Sequence, residues 1–367
     1  MIQQGVFSKI RGFDTILAVT CFLLLLVGLA LIYSTSVGGS PSIFIRQLVY
    51  SAIAVSLFFF FSFFDFRRLA KASRYLYLLF IVLLAALLVL GHVVKGSTRW
   101  FNFGIITFQP AEFMKLVMVL VLARFFALRR GEINAWKNIL LSMVYVLLPV
   151  ALIFKQPDLG SSLVIFFIWL GMLFFSTVHK KVFVYLFLAF LLVAGLAWNF
   201  GLHDYQRSRI ETFLNPNLDP SGQGYNARQA QIAVGSGKIF GRGLGKGLQS
   251  QLRFLPERQT DFIFASAAEE LGFLGTAVIL VLYFILLYRL LAVYKLSRDD
   301  LSRFLVVGVF FMIAAQVAIN VGMNIGILPV TGIPLPMLSY GGSSLLTVAI
   351  GMGIAQAVAI NAKGMRL

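Results

Sequence analysis

The stretch TILAVTCFLLLLVGLALIY (15–33) contains no charged residue. An α-helix needs about 20 apolar residues to cross the hydrocarbon core of a bilayer, and this run has that length. It is long enough to span and lacks a small-residue cleavage site, so it is not typical of a removable signal peptide. The run therefore predicts a membrane-spanning helix near the start of the chain.

The composition of the whole chain agrees with a membrane protein. Its 367 residues are 59% hydrophobic and include 37 Phe, while only 12% are charged. A soluble protein of this size could not bury so many apolar side chains, so the surrounding solvent must be lipid. The single cysteine, Cys21, excludes disulfide frameworks, zinc sites and cysteine redox motifs.

Ten apolar segments of roughly spanning length follow one another along the chain. We therefore predict an all-α integral membrane protein of about ten transmembrane helices, formed by residues 1–367 as a single polytopic domain. The predicted segments are 15–33, 45–64, 75–94, 109–128, 138–154, 161–178, 182–201, 262–288, 304–326 and 342–360.

The basic residues predict the orientation of these helices. With the N-terminus inside, the cytoplasmic side holds eighteen Lys and Arg and the short outer loops hold four. Cytoplasmic loops carry such an excess, so both termini are predicted to be cytoplasmic. The net charge of +17 is explained in the same way, which makes a nucleic-acid-binding protein improbable.

Two of the predicted outer segments are not ordinary short connections between helices. The loop 202–261 has about sixty residues, a length that usually serves a function. Within it, NARQAQIAV (226–234) predicts a short helix and SGKIFGRGLGKG (236–247) predicts irregular structure. The segment ILPVTGIPLPMLSYGGSS (327–344) is apolar but rich in Pro and Gly. It suits a re-entrant or cavity-lining segment, the alternative being a stiff surface turn.

Nucleotide and metal chemistry have little support. Gly245-Lys246 is followed by Gly247 rather than Ser or Thr, which excludes a P-loop. Lys246 and neighbouring backbone N–H groups could still approach an anion. The three histidines lie in unrelated loops, so no cofactor is evident, although a divalent cation assisting a diphosphate stays an open alternative.

The acidic residues are the more informative group. Glu112 and Lys115 stand three residues apart in an apolar helix and can pair on one face. Asp261 follows Thr260 where a helix is predicted to begin, so it could cap that helix. Asp261, Ala265, Ala268 and Gly272 also share one helical stripe, which permits either close packing or a groove towards the carboxylate.

An outer carboxylate among many bases suggests a reaction class. It suits a base that removes a proton from a sugar hydroxyl while an anionic lipid-linked diphosphate departs. A glycosidase would instead need a matched pair of carboxylates.

Six motifs in order along nearly the whole chain resemble the SEDS family (shape, elongation, division, sporulation) of cell-wall glycosyltransferases. Arg258-Gln259 and HDYQRSR are more similar to its elongation branch than to its division-specific branch. The motifs are KGSTRWFNFG (95–104), FQPAEFMKL (108–116), QPDLGSS (156–162), HDYQRSRI (203–210), FLPERQTDFIFASAAEELG (254–272) and GIPLPMLSYGGSS (332–344).

The resemblance implies an enzyme of the bacterial inner membrane that polymerises lipid II into β-1,4 glycan strands on the outer face, for cell elongation. It implies that Asp261 is the general base, and that a class B penicillin-binding protein and other elongation-complex proteins are partners. The substrate, lipid II or an undecaprenyl-diphosphate-linked glycan, is implied to bind Arg46, Arg99, Trp100, Glu112, Lys115, Asp158, Arg207, Arg209 and Lys246.

Three alternatives stay open at this point. A lipid II flippase would share the helices, the cavity and the phosphate-binding bases, but would need no proton acceptor on one face. A division-specific member of the family would perform the same chemistry in another complex. A structural scaffold for cell-wall enzymes would leave Asp158, Glu112 and Asp261 free to vary.

Overall fold

The computed structural model describes residues 12–36, 41–90, 99–102, 107–134, 136–196, 204–215, 218–219 and 222–364, and these residues form a helical bundle. Its helices are α1 (Thr15–Ser36), α2 (Pro41–Phe63), α3 (Phe66–Leu90), α4 (Pro110–Leu128), α5 (Trp136–Lys155), α6 (Leu159–Phe174), α7 (Lys180–Leu196), α8 (Asp204–Leu214), α9 (Gln223–Ser236), α10 (Leu248–Gln251), α11 (Ile263–Leu296), α12 (Asp300–Asn324) and α13 (Gly342–Gly364).

Each of the ten predicted apolar segments corresponds to a helix. Within the described ranges, seven of these helices are long and apolar enough to cross a membrane: α1, α2, α3, α5, α11, α12 and α13. The other three are α4, which carries Glu112, Lys115 and Arg124, and the shorter α6 and α7, of 16 and 17 residues. The count of ten spans and their orientation stay predictions.

Helices α4, α12 and α13 lie at the centre of the bundle. α12 packs against α4, α6 and α11, and α13 packs along α2. Most of their residues are buried, whereas α3 and α7 expose apolar side chains such as Leu78 and Phe187. A helix that is apolar all round and buried belongs to a core, and exposed apolar faces suit contact with lipid.

Local signals explain where two of the central helices begin. Pro110 occupies the first turn of α4, where its missing N–H is not needed. Asp299 caps α12, since its carboxylate accepts hydrogen bonds from the backbone N–H of Ser302 at 3.0 Å and from its hydroxyl at 2.7 Å.

The predicted large loop contains more regular structure than its sequence indicates. The short helix predicted at 226–234 is confirmed as α9. Of the stretch 236–247 predicted to be irregular, Ser236 still belongs to α9 and 237–247 is irregular. Two further helices, α8 and α10, were not predicted. Outside this loop, a small antiparallel hairpin was also not predicted. In it, Phe101 pairs with Phe108 and Asn102 pairs with Thr107.

Gly272 interrupts α11. Its φ of 70° and ψ of −168° are not helical, and the chain continues as a helix on both sides. Residues 238–243 form backbone hydrogen bonds with the residues around this break. The N–H groups of Arg242 and Gly243 donate to the carbonyls of Glu269 and Glu270 at 3.0 and 2.9 Å. A Cβ on Gly272 would lie 2.2 Å from the nitrogen of Gly241. Only glycine suits both this φ and this close approach.

The segment 329–341 is not helical, and it is buried against the bundle. Ile333, Leu335 and Leu338 are almost fully buried. The hydroxyl of Tyr283 donates to the carbonyl of Pro336. The burial contradicts the surface-turn alternative and agrees with a segment packed within the protein.

Residues predicted to share the cytoplasmic face contact one another at one end of the bundle. Asp14 accepts from Arg289 and, at 3.3 Å, from Lys363. Further ion pairs join α3 or the end of α4 to the start of α12: Arg67 with Asp299, and Arg130 with Asp300. The predicted grouping of these residues at one end is therefore consistent with the structure.

Candidate active site

Asp261 lies just before α11, and its main chain is held by two buried asparagines. The Nδ2 atoms of Asn320 and Asn324 donate to the Asp261 carbonyl at 2.9 and 3.0 Å. The Oδ1 atom of Asn324 accepts from the backbone N–H of Ala265 at 3.0 Å, so one amide side chain bridges the two sides of the helix start. Both asparagines are fully buried, whereas Asp261 is half-buried.

The capping hypothesis for Asp261 does not fit the helix boundary. The N-cap residue of α11 is Phe262, so Asp261 precedes the cap. The hydroxyl of Thr260 donates to the carbonyl and the carboxylate of Glu257, and among the described contacts it accepts no hydrogen bond from a helical N–H. The small residues that follow serve close packing: Ala265 packs with Ala230 and Ala233 of α9.

The segment 329–341 passes beside the same point. The N–H of Tyr340 donates to the carbonyl of Gln259 at 2.7 Å, and the Ser339 hydroxyl donates to the carbonyl of Thr260 at 2.6 Å. A Cβ on Gly332 would lie 3.5 Å from Oδ2 of Asp261. The segment thus holds the backbone before Asp261 and brings a glycine to face its carboxylate.

Arg46 reaches this segment from the start of α2. It hydrogen-bonds the side chain of Tyr340, whose backbone N–H bonds to Gln259. Burial and nearby Tyr50 raise the pKa of the Tyr340 hydroxyl, while Arg46 partly lowers it. Gln47 adds hydrogen bonds at 3.4 Å to the backbone of Ser339 and Gly341. The predicted site residues Arg46 and Asp261 therefore border one segment.

Asp158 borders the segment from α6. It caps that helix through Ser161, and its Oδ2 accepts from the side-chain amide of Gln109 at 3.1 Å. The backbone N–H of Gln109 donates in turn to Ser343 at the start of α13. Next to Asp158, a Cβ on Gly160 would contact Ile333 and Thr331.

Arg99 contacts the turn before Asp158. Its Nε donates to the carbonyl of Gln156 at 3.2 Å, and its Nη2 donates to the carbonyl of Pro157. A guanidinium has several N–H donors, so these two bonds do not exhaust its capacity. Trp100 follows it, half-buried, just before the hairpin.

The predicted pairing of Glu112 and Lys115 is confirmed. The two side chains are almost fully buried in α4, with Nζ 2.7 Å from Oε1. The other carboxylate oxygen of Glu112 has no hydrogen-bond partner among the residues that the structure describes. A buried ion pair that is only partly satisfied is weak support for stability, so a functional role stays open.

The remaining predicted bases lie in the large loop. Arg209 of α8 lines a small pocket with Gln231 and with Met323 near the end of α12. Arg207 is half-buried on the same helix, and Lys246 is exposed in the stretch 237–247. The contacts described above do not extend from Lys246 to Asp261.

Two glutamates of α11 have a role that was not predicted. Oε1 and Oε2 of Glu269 accept from the N–H groups of Gln249 and Ser250 at 2.8 and 3.0 Å, which caps α10. Glu270 accepts from the Ser34 hydroxyl at 2.6 Å, and that hydroxyl accepts from the N–H of Gly245. Their position in an apolar helix marked them as functional candidates. Their partners, far away in sequence, were not visible.

Asn320 and Asn324 were also missed. Two amides four residues apart in an apolar helix share one face, and polar residues at membrane depth are usually functional. Arg258 is a further partly buried base, which donates to the carbonyl of Thr35 at 3.1 Å. Burial and the charge of Arg253 lower the pKa of Arg258, although Glu270 partly offsets this.

Comparisons with known proteins agree with this architecture. The FtsW/RodA/SpoVE family model, described as "Cell cycle protein", matches residues 14–364. Peptidoglycan glycosyltransferase MrdB of Escherichia coli K12 is 41% identical over 289 residues, covering 78% of this chain and 77% of the relative. Stage V sporulation protein E of Bacillus subtilis is 38% identical, covering 93% and 95%.

Solved structures show the same fold. A chain from work on the "structural coordination of polymerization and crosslinking by a peptidoglycan synthase complex" has a TM-score of 0.81 at 32% identity, covering 95% of this chain and 98% of that one. The rod shape determining protein RodA of Thermus thermophilus has a TM-score of 0.71 at 29% identity, covering 95% and 96%.

Family membership and seven apolar helices of spanning length identify a multi-pass protein of the bacterial inner membrane. The match covers almost the whole chain, and the resemblance inferred from the motifs is confirmed. The chain belongs to the FtsW/RodA/SpoVE, or SEDS, family.

Proposed function

We propose that this chain polymerises lipid II into the glycan strands of peptidoglycan, with Asp261 as the general base. Its enzyme class, peptidoglycan glycosyltransferase, follows from the family and from relatives that bear that name. The observation that carries the proposal is the half-exposed carboxylate of Asp261, whose backbone is fixed by Asn320 and Asn324 and bordered by the segment 329–341. A positioned base works best when its neighbours hold it rigidly.

In the proposed reaction, the 4-hydroxyl of the acceptor sugar attacks C1 of the donor sugar. The new C1–O bond forms as the bond from C1 to the diphosphate breaks, and the electron pair leaves with the lipid diphosphate. The hydroxyl proton passes to Asp261, and the configuration inverts from α to β. Because the configuration inverts in one displacement, a double-displacement mechanism with two carboxylates is not required.

The diphosphates would bind the bases around the segment 329–341. Arg46 contacts Tyr340 of this segment, and Arg99 contacts the turn before Asp158. Planar guanidinium groups suit bidentate contacts with phosphate oxygens. We propose that Trp100, Asp158, Glu112 and Lys115 also contact the bound substrate. Arg207, Arg209 and Lys246 are proposed to act from the outer loop.

The proposed topology places Asp261, the loop 202–261 and the segment 327–344 on the outer face, with ten spans and both termini inside. Lipid-linked precursors would then enter from the outer leaflet. One domain formed by residues 1–367 would supply the whole site.

We further propose that the chain acts in elongation, with a class B penicillin-binding protein as partner. Support comes from its similarity to MrdB and RodA, and from its likeness to a chain of a peptidoglycan synthase complex. Relatives named FtsW are similar over comparable lengths, so the division-specific alternative needs a separate test. Depletion of the chain should produce round cells if it serves elongation, and filaments if it serves division.

The activity itself is tested with purified protein, labelled lipid II and a gel that separates glycan polymers, with and without the partner. Polymer from wild-type protein and none from Asp261→Asn is the expected result. Lipid II crossing reconstituted vesicles, without polymer in either sample, would favour the flippase. Neither polymer nor transfer in the presence of the partner would favour a scaffold.

A further inference from the structure

A cavity with three arginines in its lining lies near the end of the bundle that holds Arg67 and Arg130, and none of its lining residues belongs to the proposed active site. Its volume is about 460 Å³, and it opens between α3, α4 and α5. That volume is within the usual range of small-molecule sites. The lining residues are Ser73, Arg74, Tyr77, Leu78, Val121, Arg124, Phe125, Leu128, Arg129 and Tyr145.

Three arginines give this cavity its charge. The guanidinium of Arg124 donates to the carbonyl of Lys71 at 2.8 Å, and that of Arg129 lies 4.4 Å from the centre of the Phe125 ring. Arg74 is exposed at the cavity edge. Among the residues that the structure describes, no acidic side chain lines the cavity or forms an ion pair with these arginines.

These three arginines differ from other arginines at this end of the bundle, because the described residues give them no acidic partner. Elsewhere at the same end of the bundle, Arg67, Arg130 and Arg289 each pair with an aspartate. Three cations gathered around one cavity repel each other, and an anion in the cavity would offset that repulsion. The cavity is therefore complementary to a ligand that carries negative charge.

The cavity walls show which kind of anion fits. Tyr77 and Tyr145 pack edge to face, and the Tyr77 hydroxyl donates to the Tyr145 carbonyl, which closes the inner wall. At the mouth, Leu78 is 52% exposed and Leu128 is 71% exposed. These leucines adjoin the basic lining, so an anion that carries acyl chains can contact both, whereas a soluble anion would contact the arginines alone. Basic pockets between membrane helices bind anionic headgroups in this manner.

We infer that this cavity binds the headgroup of an anionic glycerophospholipid, with its phosphate among Arg74, Arg124 and Arg129 and its acyl chains along α3 and α4. In the proposed topology this lipid belongs to the cytoplasmic leaflet. The site is separate from the lipid II site and does not depend on the glycosyltransferase mechanism.

The test is lipid retention measured by native mass spectrometry. Purified protein is equilibrated with mixed micelles of phosphatidylcholine and either phosphatidylglycerol or cardiolipin. Wild-type protein should keep an anionic lipid in preference to phosphatidylcholine. Arg74→Gln/Arg129→Gln leaves the structural hydrogen bonds of Arg124 intact and should lower retention of the anionic lipid on the order of tenfold.

Two control variants separate the site from general charge and from misfolding. Arg68→Gln removes a cation from the same end of the bundle but outside the cavity, and it should retain the lipid like wild type. Arg74→Lys/Arg129→Lys keeps the charge and should retain most of the binding. Equal loss in Arg68→Gln, or unchanged retention in the double Gln variant, would overturn the inference. So would displacement of the lipid by inorganic phosphate, because a site for a free anion would need no acyl chains.

Discussion

The side-chain amide of Asn324 donates to the backbone carbonyl of Asp261 at 3.0 Å and also accepts from the N–H of Ala265. A single buried side chain of α12 therefore spans the start of α11. It fixes the backbone of the proposed base. Asp261 is proposed to perform the chemistry, and Asn324 holds its backbone in place. Substitutions of these two residues should therefore have different effects.

Asp261→Asn keeps the size of the side chain and removes the proton acceptor. Polymerisation should fall about 10²–10⁴-fold, which is the usual contribution of a positioned base. Stability should change by about 1 kcal/mol or less, because the N-cap of α11 is Phe262. Glycan yield and melting temperature in detergent test both statements. Glu257→Gln, a matched loss of charge four residues earlier, should keep its activity, and near-normal polymer from Asp261→Asn would refute the assignment.

Asn324→Ala removes the bridge but leaves the carboxylate. The hydrogen bonds with Asp261 and Ala265 are lost, together with those to Asn320, so we expect about 2 kcal/mol or more of destabilisation. Misplacement of the base should lower kcat by about tenfold or more while lipid II binding persists. Asn361→Ala, which removes an exposed amide near the end of α13, serves as the control. A kcat equal to that of wild type would show that Asn324 does not position Asp261.

Arg99→Ala tests diphosphate binding. Substrate use should weaken strongly, and Arg99→Lys should restore it only in part because the bidentate fork is lost. Since Arg99 also bonds the carbonyls of Gln156 and Pro157, the melting temperature must be measured beside the apparent KM. Arg242→Ala, an exposed base of the loop, is the control. Normal polymer yield from Arg99→Ala would contradict the role.

Glu269→Ala should loosen the short helix α10. The carboxylate caps the N–H groups of Gln249 and Ser250, and hydrogen bonds to a charged group contribute about 1.5–3 kcal/mol. Hydrogen exchange at these two amides should accelerate at least about tenfold. Glu211→Ala on exposed α8 should leave them unchanged. Slow exchange in Glu269→Ala would mean that other contacts hold α10.

The ionisation of Asp14 should make the stability of the protein depend on pH. Burial raises the pKa of Asp14, but hydrogen bonds from Arg289 and from the N–H of Leu17, with the charge of Lys363, lower it by more. The folded pKa therefore lies below the unfolded value of about 4. Its stabilisation is present above the unfolded pKa and is lost as pH falls through the folded pKa.

The measurement is the melting temperature of wild type and Asp14→Asn against pH. At neutral pH the free energy of unfolding of the variant should be lower by about 2 kcal/mol, because the ion-pair network around Asp14 is partly exposed. The difference should shrink below pH of about 4. A constant difference down to the acid limit would exclude ionisation of Asp14 as the cause.

The sequence predicts the helices of this protein well, because an apolar run of spanning length has few alternatives to a helix in lipid. It also predicts the Glu112–Lys115 pair, because both residues lie on one helix. The break at Gly272 was not predicted, since an isolated glycine in an apolar run is common in membrane helices. The contacts of Glu269 and Asn324 were not predictable for another reason: their partners are brought close by tertiary packing.

The break at Gly272 has a mechanical consequence for the outer loop. The carbonyls of Glu269 and Glu270, left without helical donors, are bonded by residues 242 and 243. Lifting that stretch would leave buried polar groups unsatisfied, at a cost of about 1–3 kcal/mol each. Opening the whole loop as one lid would therefore carry this cost. Residues 237–247 behave as part of the bundle and should be protected from hydrogen exchange before substrate arrives, while any closure over lipid II falls to α8 and its neighbours.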